Sequence, residues 1–290
     1  MDRNTAESAG AREPLETLET AISEEQVGES AYERAATDGS DPRCIPQSLA
    51  GEPPSGDAIV YPDYPASDHH IWSTLFERQM NLLPDRAAES YLEGLKLLEL
   101  APDRVPALSD LSTVLERVVG WKVARIPGLL HERDFFSLLS RRIFPSTDYI
   151  RSVAELNYTP APDLFHDIFG HMPMLTDPNF ADFYQRFGLA ALSATGQDRI
   201  SLERLHWFTV EFGLVDQSIG RRIYGAGILS SKDEVEHALS SNVTVHRFDA
   251  NRVTAQDYDV WHLQEVLFSV TSFRELEQGF RDWTTERSLA

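Results

Sequence analysis

The 290-residue chain has one cysteine, Cys44, which excludes an internal disulfide and suits a reducing compartment, so a cytoplasmic location is expected. It lacks any apolar run near the ~18 residues that a membrane-spanning helix requires. Its opening, MDRNTAESAGAREP, is neither basic nor followed by an apolar core, so no secretory signal is expected. Positive charge is scarce, with 26 Lys and Arg against 46 Asp and Glu and a formal net charge of −20. Surfaces for nucleic acid or anionic lipid call for basic patches, so neither partner is expected. A small molecule is expected instead.

Residues 1–58 contain no Phe and no Trp, and carry thirteen acidic residues against four Arg. Such a segment cannot bury enough apolar surface to offset its chain entropy. It is expected to be a mostly disordered acidic tail, and a chain beginning near Asp57 is expected to fold and keep its activity. Residues 59–290 are then one domain, long enough for a sizeable core.

Within that domain, helices are expected over 71–82, 84–98, 110–119 and 132–140. A longer one runs over 177–194, where Asp177 and Pro178 form a start signal. Further helices are expected over 200–212, 231–239 (Ser231-x-x-Glu234 resembles a capping box) and 273–287. Short strands are expected over 121–126, 243–248 and 263–270, and an extended, glycine-punctuated segment over 224–229. The fold class is mainly α, a single helical basket with a few short strands.

The chemistry-bearing stretch is YTPAPDLFHDIFGHMPML, residues 158–175. Two histidines in an otherwise apolar run need polar partners, and a metal ion is one such partner. In an ideal helix His166 and His171 diverge by about 140°. We therefore expect His166 inside a helix and His171 where Gly170 and Pro173 end it. Glu211 is the only acidic residue in LHWFTVEFGLV, where an unpaired buried carboxylate is costly. Two histidines and a carboxylate that leave coordination positions open suit a non-heme Fe(II) oxygenase. Zinc hydrolases use the same ligand types, although the H-E-x-x-H base is missing. A third reading is a binding module whose histidines are structural. Ligand chemistry alone leaves these open.

The run 158–175, with WFTVEFGL and YGAGILSS downstream, resembles the pterin-dependent aromatic amino acid hydroxylases, bacterial phenylalanine hydroxylases in particular. The likeness extends from about Tyr61 to about Phe273. It implies a monooxygenase that uses Fe(II), a tetrahydropterin such as tetrahydrobiopterin, and O2 to hydroxylate the ring of L-phenylalanine, most simply to tyrosine. Another ring position or L-tryptophan is the alternative. The resemblance implies metal ligation by His166, His171 and Glu211, and capture of the substrate by Arg151, Thr159, Pro160, Trp207 and Ser230. It also implies a pterin site at Gly128, Leu130, Phe135 and Asp167. An isolated Arg151 would instead pair with Asp148 or Glu155, and Trp207 and Phe135 would be ordinary core.

One departure bears on the site. His206 stands where the family commonly has tyrosine, a position that the resemblance sets beside the iron and the substrate pocket; as an extra metal ligand, its place five residues before Glu211 suggests that it points elsewhere. Val260 matches a position where tyrosine hydroxylases carry an acid, which disfavours tyrosine as substrate. The C-terminal RELEQGFRDWTTERSLA is too short a heptad pattern for a coiled coil, so a monomer is expected.

Overall fold

A computed structural model describes residues 42–157, 159, 161–260 and 262–289. Its helices are α1 (Ala66–Met80), α2 (Glu89–Leu97), α3 (Leu108–Val119), α4 (Glu132–Ser140), α5 (Met172–Leu175) and α6 (Pro178–Ser193). They continue with α7 (Gly196–His206), α8 (Ala226–Leu229), α9 (Lys232–Ala238), α10 (Ala250–Thr254) and α11 (Phe273–Glu286). Strands β1 (Lys122–Ile126) and β2 (Ile143–Thr147) pair in parallel, while β3 (Gly213–Gln217), β4 (Gly220–Ile223), β5 (Thr244–Arg247) and β6 (Val266–Val270) form a sheet of order β4-β3-β6-β5. The expected mainly helical basket with few short strands is the fold observed.

Local chemistry sets most of the boundaries. Asp177 accepts hydrogen bonds from the backbone of Asn179 and Phe180, and so starts α6. Gly120, at φ +70, stops α3 in a left-handed conformation that suits glycine. The inner faces meet in one core that includes Trp72, Trp121, Tyr91, Phe165 and Phe169, all with essentially no solvent exposure. Truncating any of these aromatics would cost about 3–5 kcal/mol.

Several expectations are corrected. Residues 81–88 separate α1 from α2, where a second helix beginning at residue 84 was expected. The strand β2 was not foreseen because Pro145 argues against a strand, yet β2 pairs only with β1, and proline is tolerated at an edge. Strands β3 and β4 also went unforeseen. The segment expected to be extended over 224–229 contains α8, because its glycines serve close packing rather than extension. A Cβ at Gly225 would lie 2.4 Å from the Glu211 carbonyl oxygen.

The composition-based boundary at 58/59 also shifts. Residues 1–41 of the acidic segment lie outside the described residues, but 43–57 contact the domain. Cys44 is buried against Ala161, Gln47 bridges Leu130, and Asp57 pairs with Lys122. The compositional signal is dominated by the acidic residues upstream, whereas these contacts use mainly backbone and small apolar groups.

Candidate active site

Two short helical stretches wider than an α-helix, His166–His171 and Trp207–Glu211, carry the metal-binding residue types. In a π-helical turn the backbone bonds run from i to i+5, so residues five apart stack on one face. The bond from Phe212 N to Trp207 O, at 2.8 Å, is one such link. This register, absent from an ideal α-helix, brings His166 and His171 together without the chain break expected at Gly170. The helix instead continues into α5, where Pro173 falls in the first turn and needs no donor. Gly170 allows close approach instead: a Cβ there would sit 3.0 Å from the Ala226 carbonyl oxygen.

His166 Nε2 and His171 Nε2 lie 2.9 Å apart, and Glu211 lies 3.3 Å from the second and 3.6 Å from the first. Two donors held about 2.1 Å from one ion at right angles are about 3.0 Å apart, so these separations fit a shared metal. Hydrogen bonding fixes the ring of His166. The Ser230 hydroxyl donates its single proton to Ala226 O at 2.8 Å and lies 3.0 Å from His166 Nδ1. With the hydroxyl turned to Ala226, the Ser230 oxygen accepts from Nδ1–H, an arrangement that leaves the Nε2 lone pair facing the site. Burial lowers the His166 pKa to about 4, so the ring is neutral near pH 7. Burial alone would raise the Glu211 carboxyl, but the His171 and His166 imidazoles hold it below the ordinary carboxylate range. An anionic carboxylate and imidazole lone pairs at these distances suit a divalent cation, and two histidines with one carboxylate are the set used for non-heme Fe(II).

The triad lines a cavity of about 590 Å³. Arg151, Thr159, Trp207, Ser230, Gly128, Leu130, Phe135 and Asp167 line the same cavity, whereas Pro160 lies outside the described residues. Neither Asp148 nor Glu155 holds Arg151. Asp163 grips it through Nε at 2.8 Å and Nη2 at 2.7 Å, and accepts its backbone N–H at 2.9 Å. Asp163 also accepts the His166 backbone N–H at 3.1 Å, which ties the arginine to the metal turn. Burial opposes ionisation of Asp163, but Arg151 outweighs it and lowers the pKa. Trp207 stacks on Tyr258 with centroids 4.4 Å apart and donates Nε1–H to Gln264 at 3.1 Å. Asp167 accepts from the Thr147 backbone and hydroxyl at 2.7 and 2.8 Å, while burial raises its pKa to about 7.

His206 is outside the group of possible metal ligands and borders the same cavity. The i to i+5 register that serves the histidine pair also stacks it toward Glu211, with Nδ1 3.9 Å from the carboxylate and Nε2 3.2 Å from the Tyr184 hydroxyl. The supporting residues Asp163, Tyr184, Tyr258 and Gln264 carry no local sequence signal, since their role depends on which distant segments meet.

A basket-shaped helical domain holding two histidines and a carboxylate over one cavity defines a mononuclear non-heme metal enzyme. Residues 42–289 match the model of the biopterin-dependent aromatic amino acid hydroxylases. The phenylalanine-4-hydroxylase of Pseudomonas aeruginosa is 39% identical over 232 residues, 80% of this chain and 87% of that protein. That of Chromobacterium violaceum is 43% identical over 216 residues, 73% of this chain and 72% of that protein. Among solved structures, the C. violaceum enzyme with iron(III) and 7,8-dihydrobiopterin matches with a TM-score of 0.75 at 39% identity, covering 81% of this chain and 88% of that one. The apo enzyme of Colwellia psychrerythraea also gives 0.75, at 38% identity over 78% and 88%. The chain belongs to the biopterin-dependent aromatic amino acid hydroxylase family, and the zinc hydrolase and binding-module readings are set aside.

Proposed function

We propose that the chain hydroxylates the ring of L-phenylalanine, to tyrosine, with Fe(II), a tetrahydropterin and O2. The observation that carries this reading is the His166, His171 and Glu211 cluster opening into a cavity that holds a carboxylate-binding cation, Arg151, and flat aromatic walls. Iron bound there, supplied with electrons by the pterin, provides the O2 chemistry; the protein positions the substrates and excludes water. Arg151, held rigid by Asp163, has guanidinium donors left over for the substrate carboxylate. Thr159 and Ser230, which line the same cavity, are assigned to the amino acid as well, although the Ser230 hydroxyl lies 2.8 Å from Ala226 O. Trp207, braced by Tyr258 and Gln264, offers a face for the substrate ring. Gly128, Leu130, Phe135 and Asp167 are assigned to the pterin, with Phe135 packing against its bicycle and polar groups nearby reading its edge.

We further propose a cytoplasmic monomer. Among the described residues no helix is long and apolar enough to cross a membrane. The amphipathic α11 spends Phe273, Leu276, Phe280 and Trp283 on its own domain, all of them buried. Light scattering at micromolar concentration tests the monomer, and a tetramer would refute it. The reaction is tested by supplying Fe(II) and tetrahydrobiopterin with phenylalanine, tryptophan or tyrosine and identifying the products. Tyrosine formed from phenylalanine supports the proposal, and pterin-independent product or none would overturn it.

A further inference from the structure

Residues Arg43–Leu49 cross the cavity between two loops that the proposed function assigns to different ligands. At one end Arg43 pairs with Glu155, with Nη1 3.3 Å from Oε2. The next residue, Cys44, is buried against Ala161, close in sequence to Arg151 and Thr159. At the other end Gln47 N–H donates to Leu129 O at 2.9 Å, and His131 N–H donates to Gln47 O at 2.9 Å. Leu49 N–H then donates to the Asp134 carboxylate at 2.7 Å, and its side chain packs against the small core cluster that contains Leu130. Between the anchors Cys44 and Pro46 line the cavity, while Ile45 is 52% exposed. Cys44 ends a 3-10 turn over Pro42–Cys44, and the chain then runs on to a single β-bridge between Gln47 and Leu130.

We propose that this segment is a strap forming part of both binding sites, holding the pterin-side segment 128–134, which ends in the first turn of α4, against the amino-acid-side residues 151–157 and Ala161. The proposal rests on the ligand assignments of the proposed function. A wall tied at both ends is pre-organised, and binding then need not order it. Releasing either anchor lets the wall move as a unit, so each ligand feels the loss of the other's anchor. A chain beginning near Asp57 would lack the wall, and retained activity is no longer its expected behaviour.

The test uses the full chain loaded with Fe(II), with 7,8-dihydrobiopterin and phenylalanine as calorimetric probes. Gln47→Pro removes the donor to Leu129, Asp134→Ala removes the acceptor of Leu49, and Arg43→Met removes the ion pair with Glu155. Each lost hydrogen bond is expected to weaken dihydrobiopterin binding about threefold to tenfold, with a weakening of phenylalanine binding in the same variant. Iron content is expected to stay at the wild-type level. Three folded variants that keep both constants within about twofold of wild type would overturn the proposal, even if their melting points fell. Should Gln47→Pro fail to fold, the other two variants decide. A wild-type protein that does not bind dihydrobiopterin overturns the functional reading itself and takes the strap's binding role with it, before any variant is compared.

Discussion

Replacing Ser230 with alanine should weaken iron binding although Ser230 is not itself a ligand. Its hydroxyl proton goes to Ala226 O at 2.8 Å, and its oxygen takes the His166 Nδ1 proton at 3.0 Å. Alanine leaves a buried Nδ1–H without its acceptor, at a cost of about 1–3 kcal/mol. Part of that is relieved if the ring rotates or changes tautomer, and both routes withdraw the Nε2 lone pair from the site. Loss of such a ring-orienting partner typically weakens metal affinity about 10–100-fold. Competition with a chelator gives the iron dissociation constant directly, free of any role that Ser230 plays in amino acid binding. Ser230→Thr, which keeps a hydroxyl, should recover most of the affinity. Iron held as tightly by Ser230→Ala as by wild type would refute the tautomer argument.

The buried Arg151–Asp163 pair gives a second test: Asp163→Ala strands the 4% exposed arginine and should destabilise the fold by about 3–5 kcal/mol, read in denaturant, with phenylalanine affinity falling as Arg151 loosens. A denaturation midpoint equal to wild type would contradict it. Burial raises the Glu234 carboxyl to about 7 from 4.5, with Asp233 adding to the rise and the Gln264 backbone opposing it, and its Oε2 has no hydrogen-bond partner. The folded state therefore holds a proton that the unfolded state gives up. Stability from this group is full below about pH 4.5 and lost as pH rises to about 7, so Glu234→Gln should exceed wild type at pH 8 by on the order of 3 kcal/mol and show no gain at pH 4. A stability difference independent of pH would contradict this. His206→Tyr should keep iron while changing the ratio of products or the coupling of pterin oxidation to hydroxylation, because the ring stands 3.9 Å from Glu211. Unchanged products and coupling would leave His206 a packing residue.

Much of the fold was legible because its helices carry local start and stop signals, as Asp177 and Gly120 do for α6 and α3. The candidate metal trio was legible because His166, His171 and Glu211 are polar residues stranded in apolar runs. Their convergence was not, since it depends on two turns with an i to i+5 register, while periodicity arguments assume an α-helix. The same register places His206 beside Glu211, where the resemblance to the family's tyrosine position had set it. Asp163 was passed over because YTPAPD contains nothing to announce that a carboxylate there will grip Arg151 twelve residues upstream. The strap was hidden by composition, since one anchor uses backbone groups and the other a lone arginine, with partners up to 112 residues along the chain.

The claim on which all of this rests is that His166, His171 and Glu211 together hold one iron ion, and equilibrium Fe(II) binding under anaerobic conditions tests it most directly. The wild type should bind one equivalent, while His171→Ala and Glu211→Gln, both folded by circular dichroism, should retain essentially none and form no hydroxylated product. Stoichiometric, tightly held iron in folded His171→Ala would place the metal elsewhere and contradict the account.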